Sequence, residues 1–524
     1  MLAAYTGTDV RAAEAPLLAA GRGGELMARA AHGLAVEVAR MLRARRGRVY
    51  GSRVAILAGA GNNGGDALYA GAELAARGAR VVALLATARI HEAALAAFHA
   101  AGGRSLPLEA GPAVGAGGGP SSGASSAILG EFLAEAAAAD VLLDGLLGTG
   151  GRGPLRGPAA IVVHALAGMP GPMVVAVDLP SGLDADTGHC TSEVLRADAT
   201  VTFGAAKAGL LLPPGEGHAG RIHVVDIGLA PWLEIPAVRR LEAGDLALLL
   251  PSPTRDSHKY RRGVLGIAAG SKRYPGAAVL STGAAVACGA GMVRFLGPEP
   301  VARLIHAAHP EVVVGSGSVA ENHVQAWLVG PGIDGGMDGG EDQAQHARDA
   351  MASSLPTVVD ASALPLVETG LWPGVILTPH AGELAALLSR LDGETTRTAV
   401  EADPHGCATK AAALTGATVL LKGATTIVAA PDGTVFSQAD GTPWLATAGS
   451  GDVLAGILGA LAAALADDVE RFSRLGIPAG GKWAAIAAMA ASLHGRAAAA
   501  VGGPLHAGAL SGVLPAVWRS LAGG

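Results

Sequence analysis

The stretch RVAILAGAGNNGGDALYAGAELAARGARVVALL, residues 53–85, decides the fold. Arg53–Ala58 is a short apolar run, which predicts a buried strand. A Gly-rich loop follows, then a helix over about Ala67–Arg77, then a second strand at Arg80–Leu85. Strand, loop, helix and strand in that order build a parallel sheet, so the fold class is α/β. The loop Gly59–Asp66 contains GxGxxG, which suggests a dinucleotide site. Such a site needs an acid about 20 residues further on to hold the ribose. Residues 82–87 read VALLAT and offer none. Asn62, Asn63 and Asp66 instead add polar groups at a strand end. Taken alone, they read equally well as a helix cap and tight turn or as a ligand-binding loop.

The same grammar extends in both directions. A helix is predicted over Gly24–Arg46, and Glu109–Gly130 reads as a surface loop rich in Gly, Ala, Ser and Pro. Further strands are predicted at Asp140–Leu143, Met173–Val177, Ala199–Phe203 and Arg221–Asp226. The pattern breaks around Leu229–Leu241, with Pro231, Pro236 and a charge cluster. It then restarts with strands at Val264–Ala268, Ala326–Val329, Thr357–Val359, Val375–Leu377 and Thr418–Leu421. Two domains are expected, 1–230 and 241–524, joined by a linker at 231–240. The length of 524 residues is too great for one ordinary core.

Composition excludes several classes. A net charge of −6 argues against nucleic acid as the main partner. Mean hydropathy is high at +0.40, but Ala and Gly supply much of it. The uncharged stretches Gly276–Val293 and Val453–Ala466 are short or interrupted by Gly, whereas a spanning helix needs about 20 apolar residues. No membrane association is expected. Cys190, Cys288 and Cys407 lie far apart without CxxC, so neither a disulfide framework nor a zinc site is expected. The N-terminus lacks a signal-type apolar segment, and a cytoplasmic protein is expected.

In open α/β sheets ligands bind at the carboxyl ends of strands, where each informative motif here falls. In the first half these are GNNGGD (61–66), DGLLGTG (144–150) and DLPSGLDADTG (178–188). Their carboxylates, amides and hydroxyl are hard oxygen donors, suited to a monovalent or divalent cation. Asp184 and Asp186 read as turn or cap residues. In the second half TAGSGD (447–452) runs into a helix beginning at about Asp452. Its glycines and helix start suit an anion, and Asp452 then lies where a phosphoryl group would transfer. An N-cap alone would need only one such residue, not two glycines. Lys422-Gly423-Ala424-Thr425-Thr426 ends a strand and could grip phosphates. Gly476–Trp483 nearly matches a P-loop, but Trp483 replaces the metal-binding hydroxyl and no strand precedes it. His380 reads equally as structural or functional.

Residues 1–230 resemble the NAD(P)H-hydrate epimerase family on those three motifs and on FGAAKAGLLLPPG (203–215). The resemblance implies a Rossmann-like three-layer domain. It also implies that Asn62, Asn63, Gly64, Gly65, Asp66, Gly148, Thr149, Gly150, Gly151, Arg152, Gly153, Pro154 and Asp178 contact the hydrated nucleotide. Asn63, Asp144 and Ser181 would hold K+. Asp178 is the candidate to move protons at the ring hydroxyl. Residues 240–524 resemble the ADP-dependent NAD(P)H-hydrate dehydratases of the ribokinase-like fold. The carrying motifs are His258-Lys259, GSKRYPGAA (270–278), VGPGID (329–334), TPHAGEL (378–384), LLKGATT (420–426) and TAGSGDVLAGIL (447–458). That resemblance implies substrate contacts from Ala277, Gly332, His380 and Asp452, with Asp452 catalytic. Lys422, Gly423, Ala424, Thr425, Thr426 and Gly451 would hold ADP, accompanied by Mg2+. The implied function is a bifunctional isomerase and lyase that repairs NADH and NADPH. The R and S forms would be interconverted, and the S form dehydrated with release of AMP and phosphate. A homo-oligomer is the expected assembly. A vitamin-type kinase with a fused nucleotide-binding domain is the alternative, but it has no use for the NNGGD and DLPSG cleft.

Overall fold

The computed structural model describes residues 1–108, 121–151, 153–334 and 340–523. The chain divides into two compact units, Ala3–Ala237 and Val238–Gly524, the latter joined by Met1–Leu2.

In the N-terminal unit seven parallel strands form one sheet. Their order across it is Arg104–Pro107, Arg80–Leu85, Arg53–Ala58, Val141–Gly145, Met173–Val177, Ala199–Phe203 and Arg221–Val225. Neighbouring registers are continuous, as in Arg53↔Arg80 through Ala58↔Leu85. Parallel strands covered on both faces read as unbroken apolar runs, and Val54–Ala58 and Val141–Gly145 are buried throughout. Helices Gly23–Arg46 and Asn62–Ala76 pack together on one side of this sheet. The sheet order turns back between Arg53–Ala58 and Val141–Gly145, and such a switch point opens a crevice at the strand ends.

The C-terminal unit carries a mixed sheet, where the sequence read as a repeat of the same parallel grammar. From Val313–Val314 the order runs Met292–Phe295, Val264–Ala268, Ala326–Val329, Thr357–Val359, Val375–Leu377, Thr418–Leu421, Thr426–Ala429, Val435–Gln438 and Val238–Arg240. The pairings around Thr426–Ala429 are antiparallel. Helices of small residues pack closely over it. A Cβ built on Gly456 would lie 2.2 Å from the Ser281 carbonyl oxygen, so helices Pro275–Ala287 and Ser450–Leu465 meet almost backbone to backbone. Helix Ala479–Val501 is long and apolar enough to cross a membrane, yet 78% of its apolar window is buried within the protein. It is a core helix, packed against Ser450–Leu465 and Ala507–Ala522.

Several expectations need correction. Val238–Arg240, read as part of a linker, is a strand paired with Val435–Gln438. Ser121–Ala137 is a helix, so the surface loop expected at Glu109–Gly130 fails there, while 109–120 lies outside the described residues. The NNGGD residues are not a loop, because the helix begins at Asn62 and not near Ala67. In the rejected P-loop, Lys482 is buried, bonds the Ala466 carbonyl and lies over the Trp483 ring.

Candidate active sites

Three strand ends of the N-terminal unit open on a cavity of about 470 Å³. Its lining includes Asn62, Asn63, Asp66, Gly148, Thr149, Gly150, Gly151 and Asp178. Gly64 and Gly65 are absent from it and serve packing instead, since Cβ atoms there would meet the Gly59 carbonyl and the His91 ring. Gly153 lines a separate small cavity of about 70 Å³, Pro154 is exposed, and Arg152 lies outside the described residues.

Asp144 is wholly buried. The Ser181 hydroxyl donates to its Oδ1 at 2.6 Å and the Ser181 backbone N–H to its Oδ2 at 2.8 Å. Burial pushes this carboxyl up, and the Ser181 donors only partly oppose it. Asn63 is buried nearby in the chain fold, with an amide nitrogen that has no partner. The Asp144 carboxylate and the Ser181 hydroxyl are hard oxygen donors of the kind a monovalent cation takes, whereas the unpartnered Asn63 atom is an amide nitrogen, so Asn63 would reach an ion only through an oxygen. Among the described residues no group of three His, Cys, Asp or Glu side chains could hold a metal ion.

Asp178 adopts φ +66°, one of two non-glycine residues with positive φ among those described, the other being Ala361. Such strain collects at functional sites. Thr202 Oγ1 and the Phe203 N–H donate to Asp178 Oδ1 at 3.0 and 3.2 Å. Lys207 bonds the same oxygen, and its ammonium also reaches Thr202 Oγ1 and the Phe203 carbonyl, each at 3.0 Å. Lys207 lies inside FGAAKAGLLLPPG, but its place in this network is not legible from the motif. The signal available was a lone lysine in the otherwise apolar run AKAGLLL. Asp66 is buried with one carboxyl oxygen unpartnered. Burial pushes it well above the usual carboxylate range, helped by Asp178 and Glu14 and opposed by Lys207. Asp184 accepts from Asp186 N, Thr187 N and Thr187 Oγ1, and Asp186 accepts from Gly7 N at 2.6 Å. Both are turn and anchoring residues.

In the C-terminal unit, Gly449 at φ +87° starts the helix Ser450–Leu465, with Asp452 in its first turn. Lys422 donates to Asp360 Oδ1 at 2.8 Å and lies 3.8 Å from Glu383. A Cβ on Gly451 would come 3.6 Å from the Lys422 ammonium, so these two predicted nucleotide residues do meet. His380 pairs with Lys422 in an isolated bridge and caps the helix Ala381–Leu391, accepting from Gly382 N and Glu383 N. Its side chain is thus structural at Nδ1 and exposed beyond it. Gly332 packs on Ala277, where its Cβ would sit 2.8 Å from that of Ala277. Gly423 and Ala424 are exposed and Thr425 buried, while Thr426 begins a strand. Burial and the neighbouring Asp360 push Asp452 up to about 6, against the pull of Lys422.

His494 was also missed, hidden in an Ala-rich helix. It touches the Ser450 backbone, and its Nε2 is buried without a partner. Burial lowers it from 6.5 to about 4. A folded value below the unfolded one means stability present above 6.5 and lost as pH falls toward about 4. The C-terminal unit is therefore expected to melt at lower temperature at pH 5 than at pH 7, and His494→Gln should reduce that difference. An unchanged pH dependence in the variant would contradict this.

Comparison with known proteins completes the picture. Residues 23–209 match the family model described as YjeF-related protein N-terminus, and residues 265–506 the model described as NAD(P)H-hydrate dehydratase. The bifunctional NAD(P)H-hydrate repair enzyme Nnr of Mycobacterium tuberculosis is 43% identical over 468 residues, covering 88% of this chain and 89% of that protein. An NAD(P)H-hydrate epimerase of Microbacterium testaceum is 45% identical over 235 residues, 44% of this chain and 81% of its own. The crystal structure of the ADP/ATP-dependent NAD(P)H-hydrate dehydratase of Bacillus subtilis, co-crystallized with ATP/Mg2+, is 27% identical with a TM-score of 0.46. It covers 54% of this chain and 99% of that one. With both halves matched and a relative of this identity aligned along most of its length, the chain belongs to the family of bifunctional NAD(P)H-hydrate repair enzymes.

Proposed function

We propose that the N-terminal unit interconverts the R and S forms of hydrated NADH and NADPH. The C-terminal unit dehydrates the S form back to NADH or NADPH at the expense of ADP, releasing AMP and phosphate. The observation that carries this reading is a pair of carboxylates, one in each unit: Asp178 at the end of strand Met173–Val177 and Asp452 in the first turn of helix Ser450–Leu465. Each is set beside a lysine that organises its surroundings.

In the C-terminal unit Asp452 takes the proton of the ring hydroxyl as that oxygen attacks the terminal phosphorus of ADP. Phosphate then leaves the ring carbon more readily than hydroxide would, with help from the ring-nitrogen lone pair, and loss of a proton from the adjacent ring carbon to solvent closes the C=C bond of the dihydronicotinamide. Lys422, faced by Asp360, Glu383 and Asp452, grips the nucleotide phosphates. Three carboxylates around one ammonium leave negative charge in surplus, which fits a nucleotide arriving with Mg2+. In the N-terminal unit Asn63, Asp144 and Ser181 would hold K+, which would supply positive charge beside the substrate's phosphate or carboxamide oxygens. The cytoplasmic location and homo-oligomeric state belong to the same proposal.

The test supplies hydrated NADH with ADP or ATP and follows recovery of NADH absorbance. The S form alone reports the C-terminal unit, and recovery of the R form at a matching rate requires the N-terminal one. Asp178→Asn is expected to slow epimerisation by about 100-fold or more and to leave dehydration of the S form intact. Epimerisation at the wild-type rate in that variant would sink the role of Asp178. Ser181→Ala is expected to weaken the dependence of epimerisation on K+ against Na+, measured by salt exchange at constant ionic strength.

A further inference from the structure

Asp178 and Asp66 share the N-terminal cavity but have opposite surroundings. Asp178 Oδ1 takes donors from Thr202, Phe203 and Lys207, as an ionised carboxylate does. Its Oδ2 points elsewhere, 3.4 Å from where a Cβ on Gly148 would lie. Asp66 is buried, and no hydrogen bond reaches its Oδ1. Lys207 is 1% exposed and commits its ammonium to Asp178, Thr202 and the Phe203 carbonyl. Two carboxyls in one cavity, one ringed by donors and one buried with an oxygen that no donor reaches, are placed as a base and an acid.

We propose that Lys207 divides the labour of epimerisation, holding Asp178 as the ionised base while Asp66, left without a cation bonded to it, serves as the protonated acid. This rests on the epimerase reading of the cleft. The hydroxylated ring carbon is bonded to the ring nitrogen, so its hydroxyl can leave with help from the nitrogen lone pair. Asp66 gives its proton to the hydroxyl, the C–O bond breaks toward oxygen, and water departs. The nitrogen lone pair forms a C=N bond, whose positive charge Asp178 Oδ2 faces. Water then adds to the opposite side of the ring carbon, the C=N pair returns to nitrogen, and Asp178 takes the extra proton. Passage of that proton back to Asp66 restores the start, and no electrons are gained or lost overall. Lys207 touches neither substrate nor proton and is a positioning residue.

The charged groups facing Asp66 are Asp178, Glu14 and Lys207, with Arg11 beside Glu14 on the same helix. His91 packs against Gly65, but its Nδ1 is engaged by the Ala94 N–H. Burial, Asp178 and Glu14 together favour the neutral acid, so the rate should fall as pH rises through the raised value.

The experiment uses the full chain and purified R-form hydrated NADH without adenine nucleotide. Approach to the R/S equilibrium is followed by chromatography from pH 5 to 9, with the spontaneous rate subtracted. Asp66→Asn is expected to lose about 100-fold or more and to lose the alkaline limb. Lys207→Met is expected to lose a similar factor and to move the alkaline limb to higher pH, because Lys207 opposes the raised value of Asp66. Dehydration of the S form by the same preparations reports that the chain is folded. A wild-type chain that does not accelerate epimerisation overturns the epimerase reading and this assignment with it. An active wild type with Asp66→Asn within threefold of it, or with unmoved limbs in both variants, overturns the assignment alone.

Discussion

Asp452→Asn is expected to lower dehydration of the S form by about 10³-fold while leaving epimerisation unchanged. Asn keeps the shape and the helix start but cannot take a proton from the attacking hydroxyl. The effect should fall on kcat, because the nucleotide grip belongs to Lys422 and the surrounding backbone. The wild type carries its own signature. Asp452 is pushed up to about 6, and only its ionised form is a base. Dehydration should therefore rise with pH through that value and level off above it. Retention of more than about a tenth of the wild-type rate in the variant would remove Asp452 from the chemistry.

The second large effect is expected at Gly59. A Cβ there would fall 1.9 Å from the Leu146 carbonyl oxygen, and one on Gly64 would fall 2.1 Å from the Gly59 carbonyl. Backbones are layered at this crossing with no side chain between them, and none of the layers has a flexible end to yield. Gly59→Ala must push the Asn62–Asp66 turn away from the Asp144–Gly148 strand end. The cost is about 3 kcal/mol or more, given what overpacking does in cores that cannot shift. Epimerisation should drop by about two orders of magnitude, since displaced groups lose their alignment. The melting transition of the N-terminal unit should fall with it, while dehydration of the S form persists. Gly61→Ala is the control, because nothing lies within 4 Å of its Cβ position. Equal melting temperatures for the two variants would show that the crossing is not as tight as the geometry indicates.

The fold was legible wherever a buried strand ran straight into a polar turn. Arg53–Ala58 and Met173–Val177 are such cases, because burial on both faces leaves unbroken apolar runs. Thr426–Ala429 and Val435–Gln438 escaped notice because KGATT reads as a phosphate loop, and the hairpin leaving it is antiparallel and short. The helix start at Asn62 is hidden in the sequence because Asn and Gly have weak helix propensity, which the surrounding packing overrides. In the sites, Asp178, Asp452 and Lys422 were legible from position at strand and helix ends. Lys207 and His494 were not, since each lies in an apolar run and is brought to its site only by tertiary folding.

The close approach of Gly456 to the Ser281 carbonyl constrains how this sequence can drift. In a core of large side chains, most accepted changes trim or reshape volume, and a neighbour can refill the space. Between these two helices there is nothing left to trim. Every change open to Gly456 adds atoms, so each step away from the present sequence is uphill until the partner helix moves. Substitutions there should therefore arise only together with changes along Pro275–Ala287, and a library varying both helices at once should recover folded pairs that neither helix yields alone.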